Sequence, residues 1–274
     1  MVLWSSENAC HGGEARLIRE LWRHAPARMR RALASFGAFR REGSREDLVS
    51  SPQWTVLQER LRAAERVVDL GCGVNPHPRA FVGVDAYLDS RQRSLGFGAN
   101  INPQELRAKH FVLARLEALP FADGAFDFAY THHVFEHLEN PKKASAEICR
   151  VARAGAVITP SAFSEIAFGR PYHLWLVVAR GDTLMFIRKT KTENRPFGEH
   201  PVPDGAGGYR ATSSTNPFEI LLDYDGWYRG SERMDRLSKL LRRYWYSHSL
   251  VTEVVFLWEG RFNCVVVHED GRLE

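Results

Sequence analysis

At 274 residues, with 44% hydrophobic and 26% charged residues, the chain can bury one substantial core, and one enlarged domain is expected over two small ones. A formal net charge of +4 is too small to announce a nucleic-acid binder, no apolar run reaches about 18 residues, and the N-terminal stretch has no hydrophobic leader. The expectation is a soluble cytoplasmic protein with no membrane partner, and the unpaired spacing of Cys10, Cys72, Cys149 and Cys264 fits a reducing compartment.

Residues 1–65 predict a helical extension in which Leu17, Ile18, Leu21 and Trp22 form an apolar stripe. Positions 16–45 hold nine arginines and no lysine. They read either as a phosphate-binding surface or as the wet face of that helix, and the interspersed Glu14, Glu20 and Glu42 favour the wet face. Residues 67–73 then run from apolar strand chemistry into Gly71-Cys72-Gly73, and residues 81–85 form a second apolar run that ends on Asp85. A glycine turn after a first strand lets backbone approach a ligand, and an acid at the tip of the next strand accepts ribose hydroxyls, so a nucleoside-containing cofactor is expected. The third glycine of a dinucleotide fingerprint is missing, and Pro76 and Pro78 would spoil a long phosphate-facing helix start.

Further along, Ala122-Asp123-Gly124-Ala125 is turn chemistry, 126–131 predicts a buried strand, and Asn140-Pro141 predicts a capped helix running to Arg153 and stopping at Gly155. Residues 156–160 predict the fifth strand. An insertion over 162–248 has its turn residues near 195–208 and its aromatics (Trp227, Tyr228, Tyr244, Trp245, Tyr246) later. Residues 249–274 predict a hairpin in which strands 253–258 and 261–268 are joined by a two-residue turn at Glu259-Gly260.

The loop at 69–73 resembles motif I of the class I S-adenosylmethionine-dependent methyltransferases, and residues 117–141, with Leu119-Pro120-Phe121, Asp123-Gly124, Phe126-Asp127 and His133-Val134-Phe135-Glu136-His137, resemble the signature of the type 11 group. The resemblance covers about 66–161 and implies an α/β fold: a Rossmann-like seven-stranded methyltransferase sheet, with N-terminal helices and a substrate cap inserted after the fifth strand. It implies S-adenosylmethionine as cofactor, with Asp69, Gly71, Cys72 and Gly73 around its methionine part, Asp85 on the ribose, and Thr131 nearby. Where such enzymes place an aspartate for the adenine amino group, this chain has Arg115, so adenine recognition passes to the Leu116 backbone, to Glu117 in a shifted register, or to hydrophobic contact.

Directly after the fourth strand, His133, Glu136 and His137 are spaced i, i+3, i+4, which puts two imidazoles and a carboxylate on one face of a helical turn. The run is similar to the metal site of small-RNA 3′-terminal 2′-O-methyltransferases. That likeness makes His173 a fourth ligand, and histidine in place of the first glutamate favours Mn, Zn or Co over Mg. Without a metal, His133 or His132 becomes the general base. The expected acceptor is a small molecule or oligosaccharide offering a sugar hydroxyl, with Trp175, Trp227, Tyr228 and Trp245 able to stack on the ring. An RNA ribose 2′-O-methyltransferase is the competing enzyme, and a cofactor-binding regulator the competing non-enzyme.

Overall fold

The computed structural model describes residues 52–89, 92, 100–168, 170, 172–190 and 249–274, together with the backbone of 202–203 and 209–210. The arginine-rich segment, the later aromatics of the insertion and Cys10 lie outside the described residues. So does the predicted stripe over 17–22.

Helix α1 (Pro52–Ala63) buries Trp54, Leu57 and Leu61, whose spacing of three and four residues makes one apolar stripe. The stripe packs on Val67, Phe128, Tyr130, Ala156 and Ile158, one face of the main sheet. Arg79 closes the helix end by donating to the carbonyls of Leu61, Arg62 and Ala64. Strands β1 (Val67–Leu70), β2 (Ala80–Asp85), β3 (His110–Leu113), β4 (Phe126–His132) and β5 (Ala152–Pro160) follow, all mutually parallel. Helix α2 (Pro141–Val151) starts as predicted: the Asn140 side chain accepts from Lys143 N at 2.9 Å and proline stands in its first turn. It buries Ala144, Ile148 and Val151 against the other face of the sheet.

Strand β5 begins at Ala152, so Gly155 is not the helix stop that its residue type predicts. It is a strand residue with another duty: a Cβ there would lie 2.4 Å from the Ala129 carbonyl oxygen and 2.6 Å from the Trp258 ring. The signature loop before β4 is also explained by packing. Arg150 of α2 donates to the carbonyls of Phe121 (2.7 Å) and Leu119 (3.0 Å) and to Asp123, while Glu147 accepts from Leu119 N. The glycine that follows, Gly124, turns at φ 61°.

After helix α3 (Ala162–Phe168) come β6 (Trp175–Arg180) and β7 (Thr183–Arg188), then the short pair β8 (Val202–Pro203) and β9 (Tyr209–Arg210). Helix α4 (Ser249–Thr252), β10 (Glu253–Glu259) and β11 (Asn263–Val267) end the chain. The main sheet has the order β10-β5-β4-β1-β2-β3, with β10 antiparallel to β5. This is an α/β fold with a parallel-dominated sheet, as the motif implied, but with six strands among the described residues and not seven. The predicted closing hairpin does not form. Strand β11 leaves β10 and runs parallel to β7, completing a second sheet in the order β11-β7-β6. A turn at Gly260 sits equally well between strands that part company, so local turn chemistry cannot tell the two apart. Strands β6 and β7 of the predicted cap thus belong to a sheet that also recruits the C-terminal strand.

From β1 the chain proceeds outward through β2 and β3, then returns to β4 on the other side of β1. The carboxyl ends of β1 and β4 therefore flank the reversal where ligands bind in open α/β sheets.

Gly155→Ala is expected to destabilise the protein by about 1–3 kcal/mol, since neither the Ala129 carbonyl nor the Trp258 ring can withdraw without disturbing β4 or β10. Urea unfolding of the variant checks this, and unchanged stability would contradict the packing described.

Candidate functional site

The loop after β1 is shaped by two left-handed glycines, Gly71 (φ 78°) and Gly73 (φ 57°). Its amides turn inward: Gly71 N and Cys72 N both donate to the Val84 carbonyl, and Gly73 N donates to Asp85 Oδ2 at 2.9 Å. Asp85 also accepts from Tyr87 N, so its carboxylate is fixed at the tip of β2 as the sequence placed it. Cys72 is buried and packs against Gly83, where a Cβ would meet its sulfur at 3.0 Å. Asp69 is buried beneath the loop and accepts from His77 N at 2.6 Å. Burial, reinforced by the nearby Asp85 charge, pushes its carboxyl up to about 7, while the His77 amide opposes the shift.

The adenine side departs from a simple exchange of acids. Arg115 donates to the Glu117 carboxylate at 3.3 Å and to the Tyr87 hydroxyl at 3.0 Å, tying Glu117 to the chain that follows Asp85. Leu116 is a core residue. Thr131, expected beside the cofactor, is instead wholly buried and donates its hydroxyl to the Ala156 carbonyl, so its side chain serves the sheet.

The histidine run after β4 is where tertiary structure departs most from the helical reading. Only a single 3₁₀ turn, Phe135–His137, forms, and His133 adopts a left-handed backbone, φ 56°. That reversal splits the predicted ligands between two clusters. Glu136, His137 and His173 form one, and His132, His133 and Glu253 form the other, with the ligand atoms of each within 4.8 Å of one another. His133 is thus not in the group that holds His137 and His173. It bridges the two clusters, with Nδ1 3.1 Å from Glu136 Oε1 and Nε2 3.3 Å from Glu253 Oε1.

In the first cluster both rings are oriented from behind. His137 Nδ1 is 3.2 Å from the Tyr172 carbonyl, and His173 Nδ1 is 2.5 Å from Glu165 Oε2. A carbonyl only accepts hydrogen bonds, so neutral His137 carries its hydrogen on Nδ1 and a lone pair on Nε2; the Glu165 carboxylate, also an acceptor, takes the Nδ1 hydrogen of His173. Glu165 is itself bound by the buried Lys189 ammonium at 2.5 Å. Glu136 Oε2 is a buried oxygen with no hydrogen-bond partner. Two imidazoles and an orphaned carboxylate oxygen, with ligand atoms within 4.8 Å of one another, could hold a divalent cation, and in kind these residues fit one.

Electrostatics separates the histidines. Burial alone would lower His133, but its bonds to Glu136 and Glu253 outweigh it and hold the ring at about 9. Burial likewise opposes ionisation of Glu136, yet its bond to His133 brings it down to about 2. Glu253 is held below the carboxylate range by His132 and His133 against the same burial cost. His137 is lowered, chiefly by burial, and stays neutral. The expectation that His133 acts as a base near neutrality is therefore corrected, since its two carboxylate partners hold the ring protonated; the neighbouring His132 meets the Tyr130 hydroxyl with its Nδ1 at 3.2 Å. Trp175 is corrected too. It is buried in the core with its indole N–H donating to the Leu138 carbonyl, and so is not placed to stack on a sugar.

Sequence reasoning missed Glu253, Glu165 and Lys189, each brought in from far along the chain with no local motif. For His77 a signal existed: the prolines on both sides fix the backbone that delivers its amide to Asp69.

Residues 68–159 match the family model of a methyltransferase domain. The chain is 31% identical over 167 residues to the malonyl-[acyl-carrier protein] O-methyltransferase of Pseudescherichia vulneris, covering 61% of this chain and 62% of that protein. It is 33% identical over 108 residues to the demethylmenaquinone methyltransferase of Renibacterium salmoninarum, covering 38% and 44%. The YcgJ protein of Bacillus subtilis aligns with 43% of this chain and 60% of its own at 22% identity, TM-score 0.31. The chain spans less than two thirds of the length of the curated relatives it matches.

Two titrations follow. In metal-free protein the His133 ring should titrate near 9 by NMR, and Glu136→Gln should lower that value. Because the folded value is raised, the stabilisation is full below about 6.5 and lost as pH rises through about 9. Asp69 is also raised, so its ionisation costs stability as pH rises through about 7. Asp69→Asn should accordingly raise the melting temperature of the ligand-free protein at pH 8 more than at pH 5; an equal effect at both would refute the buried-carboxyl account.

Proposed function

We propose that this chain, whose residues 68–159 are a class I S-adenosylmethionine-dependent methyltransferase domain, transfers a methyl group to a sugar hydroxyl of a saccharide, a polysaccharide precursor or a glycosylated metabolite, assisted by a divalent ion. The observation that carries the ion is the unpartnered, buried Glu136 Oε2 beside two imidazoles whose ring orientation is fixed from behind. Its place supports the reading: a Cβ on Gly71 would strike Val134 at 2.3 Å, so the turn bearing the cluster lies directly against the cofactor loop.

Gly71 and Gly73 fit a ligand that needs close backbone approach, and Asp85 fits the two hydroxyls of its ribose. When bound, S-adenosylmethionine supplies a methyl carbon on a sulfonium, and the ion supplies a Lewis acid that lowers the pKa of an acceptor hydroxyl. The chain's own work is placement. Glu136, His137 and His173 would hold the ion, and Glu165 and the Tyr172 carbonyl keep both rings turned toward it. His133 contributes fixed positive charge next to Glu136 and takes no proton. Where the acceptor loses its proton to protein, His132 receives it. Donors of nitrogen and oxygen type suit Mn or Zn and also admit Mg.

Titration calorimetry with S-adenosylhomocysteine should show binding by the wild type and a loss of about 2 kcal/mol, more than tenfold, in Asp85→Ala. Manganese or zinc should bind the wild type, and Glu136→Gln or His173→Ala should abolish that binding while sparing the cofactor. Transfer of labelled methyl from S-adenosylmethionine to a glycoside panel should stop in EDTA. Full transfer in EDTA would remove the ion from the reading and leave His132 as base.

A further inference from the structure

Beside the histidine pair, a cavity of about 420 Å³ lies between α3, β6 and the start of β10, a volume within the range of small-molecule sites. Its walls are apolar: Phe163, Val177, Val178, Val254 and Val255. Two of these, Phe163 and Val178, are 54% and 38% exposed, an arrangement that costs hydration free energy unless something covers them. The polar lining is Gln53, Ser161 and Glu253. Ser161 is the residue that follows β5, so the cavity opens at the same carboxyl edge of the sheet as the cofactor loop, one strand beyond β4.

Glu253 joins the cavity to the chemistry. Its Oε1 lies 3.3 Å from His133 Nε2 and 3.6 Å from His132 Nε2, while the side chain also lines the cavity wall. Charge selects the occupant. Among the described residues no lysine or arginine lines the cavity, and its one ionisable group, the Glu253 carboxylate, is already engaged by His132 and His133, so a phosphate, sulfate or carboxylate finds no partner there.

We infer that this cavity binds the neutral, apolar body of the acceptor, an alkyl or aryl aglycone, and presents its attached hydroxyl-bearing ring to His132 and the Glu136 cluster. This rests on the methyltransferase reading for its position and deepens it to an acceptor class, a neutral amphiphilic glycoside in preference to a free sugar or a phosphorylated one.

The test uses the full chain saturated with S-adenosylhomocysteine, with octyl β-D-glucopyranoside below its micelle concentration, D-glucose and octyl sulfate as probes in titration calorimetry. Octyl glucoside should bind saturably and at least tenfold more tightly than either of the others. Val178→Asp, which places a charge on an exposed wall, and Ala162→Trp, which fills the space, should each weaken octyl glucoside at least tenfold and leave S-adenosylhomocysteine affinity within about twofold. Retained cofactor affinity also shows that the variants fold. Equal binding of octyl glucoside and glucose, tighter binding of octyl sulfate, or alkyl binding indifferent to both variants would each overturn the inference. Loss of cofactor binding by the wild type would instead overturn the methyltransferase reading.

Discussion

The site depends on one ionic bridge. His133 stands between Glu136 and Glu253, and each carboxylate reaches one ring nitrogen. Three buried or half-buried ionisable groups are tolerable because each neutralises its neighbour; removing one partner of such an arrangement typically costs about 3–5 kcal/mol. The bridge ties the turn after β4 to the first residue of β10, two segments 120 residues apart in sequence. It also holds His133 in a left-handed backbone that costs a non-glycine residue on the order of 1–3 kcal/mol. That backbone is what separates the two clusters, turning His133 toward Glu253 and leaving His137 to face His173.

A second carboxylate does comparable work behind the first cluster. Glu165 on α3 accepts from Lys189 Nζ and Arg170 N, and its other oxygen meets His173 Nδ1. The segment that delivers His173 is bound to the turn itself, since Leu174 N donates to the Glu136 carbonyl at 2.7 Å. The inserted strands are thereby clamped to the carboxyl edge of the main sheet by backbone and charge together. This is the rigid support that positioning requires, because small displacements of reacting groups are expensive in rate.

The cofactor loop and the histidine turn are also mutually constrained. Val134 occupies the space where Gly71 would carry a Cβ, so glycine at 71 is required both by φ 78° and by the turn packed over it. The carboxylates sort by environment. Asp69, beneath the loop with one amide partner, is pushed up, whereas Glu136 and Glu253, beside imidazolium, are held down. Burial disfavours charge in all three, and the nearest cation decides the sign.

By itself the sequence determined the parts whose cause is local. The glycine loop, Asp85 at a strand tip, the Asn140-Pro141 helix start and the buried fourth strand follow from backbone sterics, capping and apolar runs, all of which act over a few residues. It also placed Glu136, His137 and His173 in one group, through likeness to a known arrangement. Tertiary structure alone decided that β11 joins β7 and not β10, because turn residues limit geometry without choosing a partner. It alone made Gly155 a point of close strand packing, Arg150 the clasp of the signature loop, and His133 a bridging cation where the helical period had aligned it with His137. Glu253 and Glu165 enter from distant segments, and the protonation of a histidine is set by the charges that folding brings beside it, which spacing along a chain does not encode.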